Sequence, residues 1–203
     1  MSQDSYNADE LYATKVVTIY SEANPNPNSM KFNLNFMLIA NGESIDFPDV
    51  ESATTSPLAQ ELFSFPYITR VFYMSNFITL TKDDSVEWNE VVPTLKQHIK
   101  SYFEAQKPLF NEQQAETIVE INNDSEAVKK IKGVLDEYVK PAVEMDGGAI
   151  QFDNFDEESG VLKVLLQGSC SGCPSSTITL KQGIQNIMQR MVPQVKEVVA
   201  EGV

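Results

Sequence analysis

Cys170 and Cys173 are the only thiols in the 203-residue chain, and they stand three residues apart in the segment GSCSGCP (Gly168–Pro174). A C-x-x-C spacing brings two sulfurs close enough to bind one metal ion, to hold one face of a metal cluster, or to form a reversible disulfide. Gly168 and Gly172 relieve the backbone beside the cysteines, so both sulfurs can turn the same way. Pro174 suits a first helical position, where its missing N–H has no partner to lose. Cys173 then lies at or just before a helix N-terminus, where unpaired N–H groups and the helix dipole stabilise a thiolate. Ser175, Ser176 and Thr177 are placed to cap that helix or to donate hydrogen bonds toward sulfur.

The ligand count sharpens the reading. Iron–sulfur clusters and structural zinc are usually held by four protein ligands, often all thiolates. This chain supplies two, and its single histidine, His98, falls in the other half of the chain. Two copies related by a two-fold axis supply four thiolates at one point. A centre on that axis is held equally by both subunits and loses half its ligands when they separate, which suits transfer better than permanent retention. Zinc accepts the same four thiolates, so a structural zinc-bridged dimer stays open. A dithiol oxidoreductase is a further alternative. Thioredoxin-like proteins set their C-x-x-C within a βαβ crossover, whereas the strands expected before this motif form a hairpin.

The elements that must position the motif follow from periodicity. From Ser125 onward, Val128, Ile131, Leu135, Tyr138/Val139 and Ala142 recur at helical spacing, and Pro141 with the Asp146-Gly147-Gly148 turn ends or bends the helix. AIQFDNF (149–155) and GVLKVLLQ (160–167) read as strands joined by the acidic turn DEESG, hence antiparallel. After the motif, Ile178, Leu180, Ile184, Ile187/Met188 and Met191 trace a second helix, Pro193 stops it, and VKEVV (195–199) reads as a short last strand. The order strand, CxxC loop, helix belongs to a small α+β domain.

The first half carries its own pattern. Residues 1–12 form a polar tail. KVVTIY (15–20) is β-rich, and NPNPNS (Asn24–Ser29) is dense in turn-formers. In MKFNLNFMLIA (30–40), Phe32, Leu34 and Phe36 alternate with Asn33 and Asn35, as in a half-buried strand. SPLAQELFSF (Ser56–Phe65) opens with a capping Ser and a first-turn Pro. YITRVFYM and FITLTK form a hairpin about Ser75–Asn76. Val91, Leu95, Ile99 and Tyr102/Phe103 mark a helix that either kinks at Pro93 or starts later than Asp84. The resulting division is a tail at 1–12, a first domain at 13–104, a linker at 105–124 in which TIVEI is a possible short strand, and a second domain at 125–203.

Composition excludes several classes. Fifteen Lys and Arg against 29 Asp and Glu leave a formal charge of -14. That balance argues against nucleic acid and against an anionic membrane surface. No window approaches the roughly 18 apolar residues of a membrane span. MSQDSYNADELY resembles neither a secretory signal nor an Arg-rich transit peptide, so the chain reads as cytoplasmic. Plain structural roles are expected for the remaining conspicuous residues. His98 reads as a surface or boundary histidine, and Trp88 as core or a domain contact. Asp153, Asp156, Glu157 and Glu158 form a solvated turn, because calcium-loop spacing is absent. Gly147 and Gly148 make a turn rather than a phosphate loop, and Met188 and Met191 are core. Asn24–Ser29 reads as a connecting loop as readily as a partner contact.

LDEYVKPAVEMDGGAIQF and GVLKVLLQGSCSGCPSSTITLKQGIQNIM closely resemble the NifU-like C-terminal domain of the Nfu iron–sulfur proteins, over nearly all of residues 126–200. NPNPNSMKF, SPLAQELFSFPYITRVFY and FITLTKDDSVEW are similar to the Nfu N-terminal domain. The resemblance implies two small α+β domains and a [4Fe-4S] cluster bound through Cys170 and Cys173 of two subunits. It further implies a carrier without catalytic turnover, homodimeric when cluster-bound. Such a carrier is supplied by upstream cluster assembly machinery and delivers to apo iron–sulfur proteins. The first domain, which has no cysteine, would contact partners or adjust the second.

Overall fold

A computed structural model describes residues 16–39, 43–111, 124–171 and 174–202, the side chains of 174–177 excepted. The polar tail, TIVEI, Gly172 and Cys173 lie outside the described residues. The described elements gather into two compact units: one of residues before Asn24 and from Met30 through the first helices, the other of Asn24–Ser29 and the C-terminal elements.

The first unit is a five-stranded sheet, in the order β1-β2-β5-β4-β3, with helices packed on it. Its strands are β1 (Ile19–Ala23), β2 (Ser29–Leu34), β3 (Ser44–Phe47), β4 (Ile68–Met74) and β5 (Phe77–Lys82). Its helices are α1 (Pro57–Phe63) and α2 (Trp88–Glu104). β1 starts later than KVVTIY suggests. The side chain of Asn35 occupies the backbone groups just before it, accepting from Thr18 N at 3.0 Å and donating to Val16 O at 2.9 Å. The hairpin about Ser75–Asn76 forms, with Met74 opposite Phe77 and Ser75 at φ 48. Ser56 caps α1, accepting from Ala59 N at 3.3 Å. The Pro93 ambiguity resolves in favour of the later start: α2 begins at Trp88 and keeps Pro93 inside it. The core joins Phe32 and Leu34 to Leu58, Leu62, Val71, Ile78, Leu80, Leu95 and Ile99.

The start of the expected linker belongs to this unit. Leu109 is buried in the first core and Phe110 packs against it. Tyr102 Oη donates to Pro108 O at 2.6 Å, Ser56 Oγ to Leu109 O at 2.9 Å, and Asn111 N to Thr55 O at 2.9 Å.

The second unit begins with α3 (Glu126–Val134), capped by Ser125 Oγ accepting from Val128 N at 3.3 Å. A π-helical stretch, Leu135–Val139, leads into α4 (Lys140–Met145). Pro141 has no N–H to offer and its ring crowds the carbonyl four residues back. The widened turn accommodates it, with Lys140 N donating to Leu135 O instead. β6 (Gly148–Asp156) and β7 (Val161–Gly168) are antiparallel, as the acidic turn requires. α5 (Pro174–Met191) then carries the chain to β8 (Glu197–Gly202), which pairs with β7 in parallel.

That parallel pairing changes one expectation. The motif does sit in a βαβ crossover, β7–α5–β8, on a sheet ordered β6-β7-β8. Ile131, Leu135, Val139 and Val143 pack with Ile150, Leu162, Val164, Leu166, Ile184, Met188 and Val198. Met188 is core as expected, but Ile178 is 60% exposed.

Candidate functional site

β7 ends at Gly168, whose φ of 64 is the left-handed conformation that glycine adopts without strain. The chain turns at once, Ser171 N donating to Gly168 O at 3.1 Å. Across the sheet, Gly148 is the register partner of Gly168, so two glycines close this end of the β6–β7 ladder. Gly147, at φ 77, makes the corner between α4 and β6.

The loop is fastened to that corner. Ser169 N donates to Gly147 O at 3.3 Å, and Ser169 Oγ donates to Asp146 O. Ser169 is buried, so these bonds are shielded from competing water. Cys170 follows, 6% exposed and counted within the second core, with Ser169 Oγ 3.8 Å from its Sγ. Its sulfur lies over Gly148, where a Cβ would stand 2.9 Å from Sγ and 2.6 Å from Gln167 O. Asp146, Ser169, Cys170, Thr179 and Leu180 border a common cavity.

The electrostatics favour an anion at the start of α5. The helix has no acidic residue in its first turn to offset the partial positive charge there, while Arg190 in its last turn complements the other end. A soft thiolate donor beside such a terminus suits iron, zinc or a sulfide-bridged cluster.

Of the two cysteines, the structure describes Cys170; Cys173 and the side chains of Ser175, Ser176 and Thr177 lie outside the described residues. Pro174 opens α5, as its chemistry predicts. His98 stands in the first unit, half-buried, its Nε2 3.2 Å from Glu61 Oε2 and its ring edge-on to Phe65 at 5.3 Å. Trp88 opens α2 and packs against the first core. Asp156 caps its own turn, accepting from Glu158 N at 3.0 Å and from Ser159 Oγ at 2.6 Å. Burial pushes the Tyr73 phenol far above its ordinary range, so it stays neutral beside Ser56.

Periodicity and spacing did not connect Asp146 or Gly148 to the cysteine loop. The available signal was the doubled glycine: one suffices for a left-handed corner, and the second marks a place where something approaches closely.

Residues 19–106 match the family model described as the scaffold protein Nfu/NifU N terminal, and residues 131–199 match the NifU-like domain. NifU-like proteins 4 and 5, mitochondrial, of Arabidopsis thaliana are 40% and 39% identical over 190 residues. Each alignment spans 92% of this chain, with 67% and 69% of the two relatives covered. The NFU1 iron-sulfur cluster scaffold homolog, mitochondrial, of Drosophila willistoni is 39% identical over 93% of this chain and 65% of its own length. A solution NMR structure of a NifU-like protein from Saccharomyces cerevisiae aligns with 22% identity and a TM-score of 0.46, over 56% of this chain and all of that one.

Proposed function

The chain belongs to the Nfu/NifU family of scaffold proteins, and from that membership we propose that it binds an iron–sulfur cluster as cargo and passes it to apo-proteins. In this reading the cargo is a [4Fe-4S] cluster held by Cys170 and Cys173 of two subunits. Residues 125–203 form the cluster-binding domain and residues 13–104 a domain for partner contact or adjustment. The upstream assembly machinery supplies the cluster, and apo iron–sulfur proteins receive it. The protein acts by binding and release, without turnover of its own.

One observation carries the reading: a loop presenting Cys170 is pinned to the Asp146–Gly148 corner at the entry of α5, in a chain with only two thiols. The loop bonds hold the ligand backbone still, and the helix start favours the anionic thiolate. A second chain completes the four-thiolate set that one chain lacks. Because neither subunit holds a majority of the ligands, an acceptor with a fuller set can draw the cluster away.

Anaerobic reconstitution followed by Mössbauer spectroscopy and native mass measurement tests this. About four irons per dimer are expected from the four-cysteine rule, with loss of the cluster in Cys170→Ala and in Cys173→Ala and transfer to an apo-acceptor. Firm iron and sulfide on a lone subunit, or iron retained after both cysteines are removed, would overturn it. Tight zinc with no transfer points to the structural bridge instead.

The β7–α5–β8 crossover gives the dithiol reading one favourable observation, since the motif enters the helix of a βαβ unit. That reading requires a reversible Cys170–Cys173 disulfide and turnover in an insulin-coupled reduction assay; absence of turnover removes it. A cytoplasmic location stays part of the proposal, beside relatives whose names say mitochondrial, and cell fractionation decides between them.

A further inference from the structure

Gly148 is the seat of the Cys170 sulfur. The chain's glycines divide sharply by what a side chain would meet. At Gly133 in α3 and Gly183 in α5 a Cβ would find nothing within 4 Å. At Gly148 it would fall 2.9 Å from Cys170 Sγ, 3.3 Å from Cys170 Cβ and 2.6 Å from Gln167 O. Contacts under 3 Å are well inside carbon–sulfur and carbon–oxygen van der Waals distance, so something must shift. Gln167 O is backbone within β7, held by the ladder. That contact is relieved only by a shift of the β6–β7 backbone, whereas the contact with Cys170 Sγ is relieved by the Cys170 side chain, which turns about a single χ angle.

We propose that Gly148 is a positioning residue for the cluster ligand: its missing side chain is the space in which the Cys170 thiol is held. The corner then acts on the cysteine at two levels. Asp146 and Gly147 carbonyls receive the Ser169 side chain and amide and set the backbone of the loop. Gly148 sets the sulfur. The two glycines of the Asp-Gly-Gly segment thus have different tasks, Gly147 a left-handed corner at φ 77 and Gly148 a close approach. The consequence for cluster retention rests on the function proposed above; the positioning itself is a property of the metal-free chain.

The test uses the full-length, metal-free protein. Native, Gly148→Ala, Gly133→Ala and Gly183→Ala proteins are pulsed with iodoacetamide, and labelling at Cys170 and Cys173 is separated by fragment-ion mass spectrometry. Gly148→Ala should label several-fold faster at Cys170, with Cys173 changing little; the two helix-glycine controls should label as the native protein does. Melting midpoints complete a cycle with Cys170→Ala. The drop caused by Gly148→Ala should be smaller when Cys170 is already Ala, because the sulfur contact is gone and only the Gln167 contact remains.

Equal drops in the two backgrounds, or unchanged Cys170 labelling, would overturn the proposal. If Gly148→Ala fails to fold alone, folding of the double variant supports the proposal, and its failure to fold counts against it. Because these readouts need no cluster, they can fail while the cluster reading stands. Lost iron in Cys170→Ala, by contrast, would stand even if Gly148 proved indifferent.

Discussion

The two units end their sheets in opposite ways. In the first, the β4–β5 hairpin closes with Met74 opposite Phe77, and the fully buried Tyr73 has its hydroxyl 3.2 Å from Ser56 Oγ. Bulk fills the space, and the Tyr73 hydroxyl inside it has a partner in Ser56. In the second, the β6–β7 ladder closes on Gly148 opposite Gly168, and the space that side chains would fill is taken by a thiol. The first sheet is built for burial, as a core needs. The second gives up side-chain bulk at one end, and a cysteine sulfur lies there instead.

The largest expected effect breaks this comparison if it spreads from one unit to the other. Leu95→Ala in α2 removes a fully buried side chain from the first core. It should cost about 2–5 kcal/mol, the range for Leu→Ala cavities. Measured by denaturant unfolding, the loss should fall in the transition assigned to the first unit, while iodoacetamide labelling of Cys170 stays at the native rate. A change in Cys170 labelling would mean that the core of one unit governs the site of the other.

A smaller effect sharpens the comparison, because the same device occurs once in each unit. Ser56 and Ser125 are both helix N-caps accepting an amide at 3.3 Å. Ser125 is exposed and its side chain makes only the cap bond among those described, so Ser125→Ala should cost about 0.5–1 kcal/mol. Ser56 is fully buried and also donates to Leu109 O at 2.9 Å beside Tyr73 Oη at 3.2 Å. Its removal leaves a buried carbonyl and a buried phenol short of a partner, so Ser56→Ala should cost about 2–3 kcal/mol. Thermal melts of the two variants decide it, and equal costs would show that the buried network adds nothing to the cap.

How far the sequence foretold this depends on the range of each interaction. Local chemistry was legible. Ser56–Pro57 starts a helix, Ser75–Asn76 turns a hairpin, and Pro174 opens α5, because caps and turns are decided by neighbours in the chain. The segment 105–111 misled, since its polar residues conceal Leu109 and Phe110, and its partners Thr55 and Ser56 lie far upstream. The direction of β8 was hidden because a short apolar run such as Val198–Val199 carries no mark of parallel or antiparallel pairing. The link from Gly148 to Cys170 was hidden for the same reason: it exists only after β6 and β7 are in register. Half of the candidate site, the C-x-x-C itself, is a matter of residue type; its floor is a matter of tertiary approach.

The smallest effect tests whether the contrast between the units is confined to the sheet ends. Each unit carries an aspartate held by a nearby serine, Asp83 half-buried and Asp156 exposed. In the first, Asp83 Oδ1 accepts from Ser85 Oγ at 2.5 Å and Ser85 N at 2.9 Å. In the second, Asp156 accepts from Ser159 Oγ at 2.6 Å and from the amides of Glu158 and Ser159. The serine hydroxyl is the chief reason each carboxyl titrates below its usual range, with the amides adding to it. A carboxylate whose folded pKa is depressed adds stability above its unfolded pKa and loses it as pH falls through the folded value. Ser85→Ala and Ser159→Ala should therefore each move their aspartate back toward the ordinary carboxylate range, read by carboxyl-carbon NMR titration, with a small drop in the melting midpoint at neutral pH that vanishes as pH falls below the carboxylate range. Matching shifts would show that the surface turns of both units obey the same local rule, leaving the Gly148–Gly168 end as the place where they part. A shift in one aspartate but not the other would move the contrast out to the loops, and the explanation by sheet closure would then be too narrow.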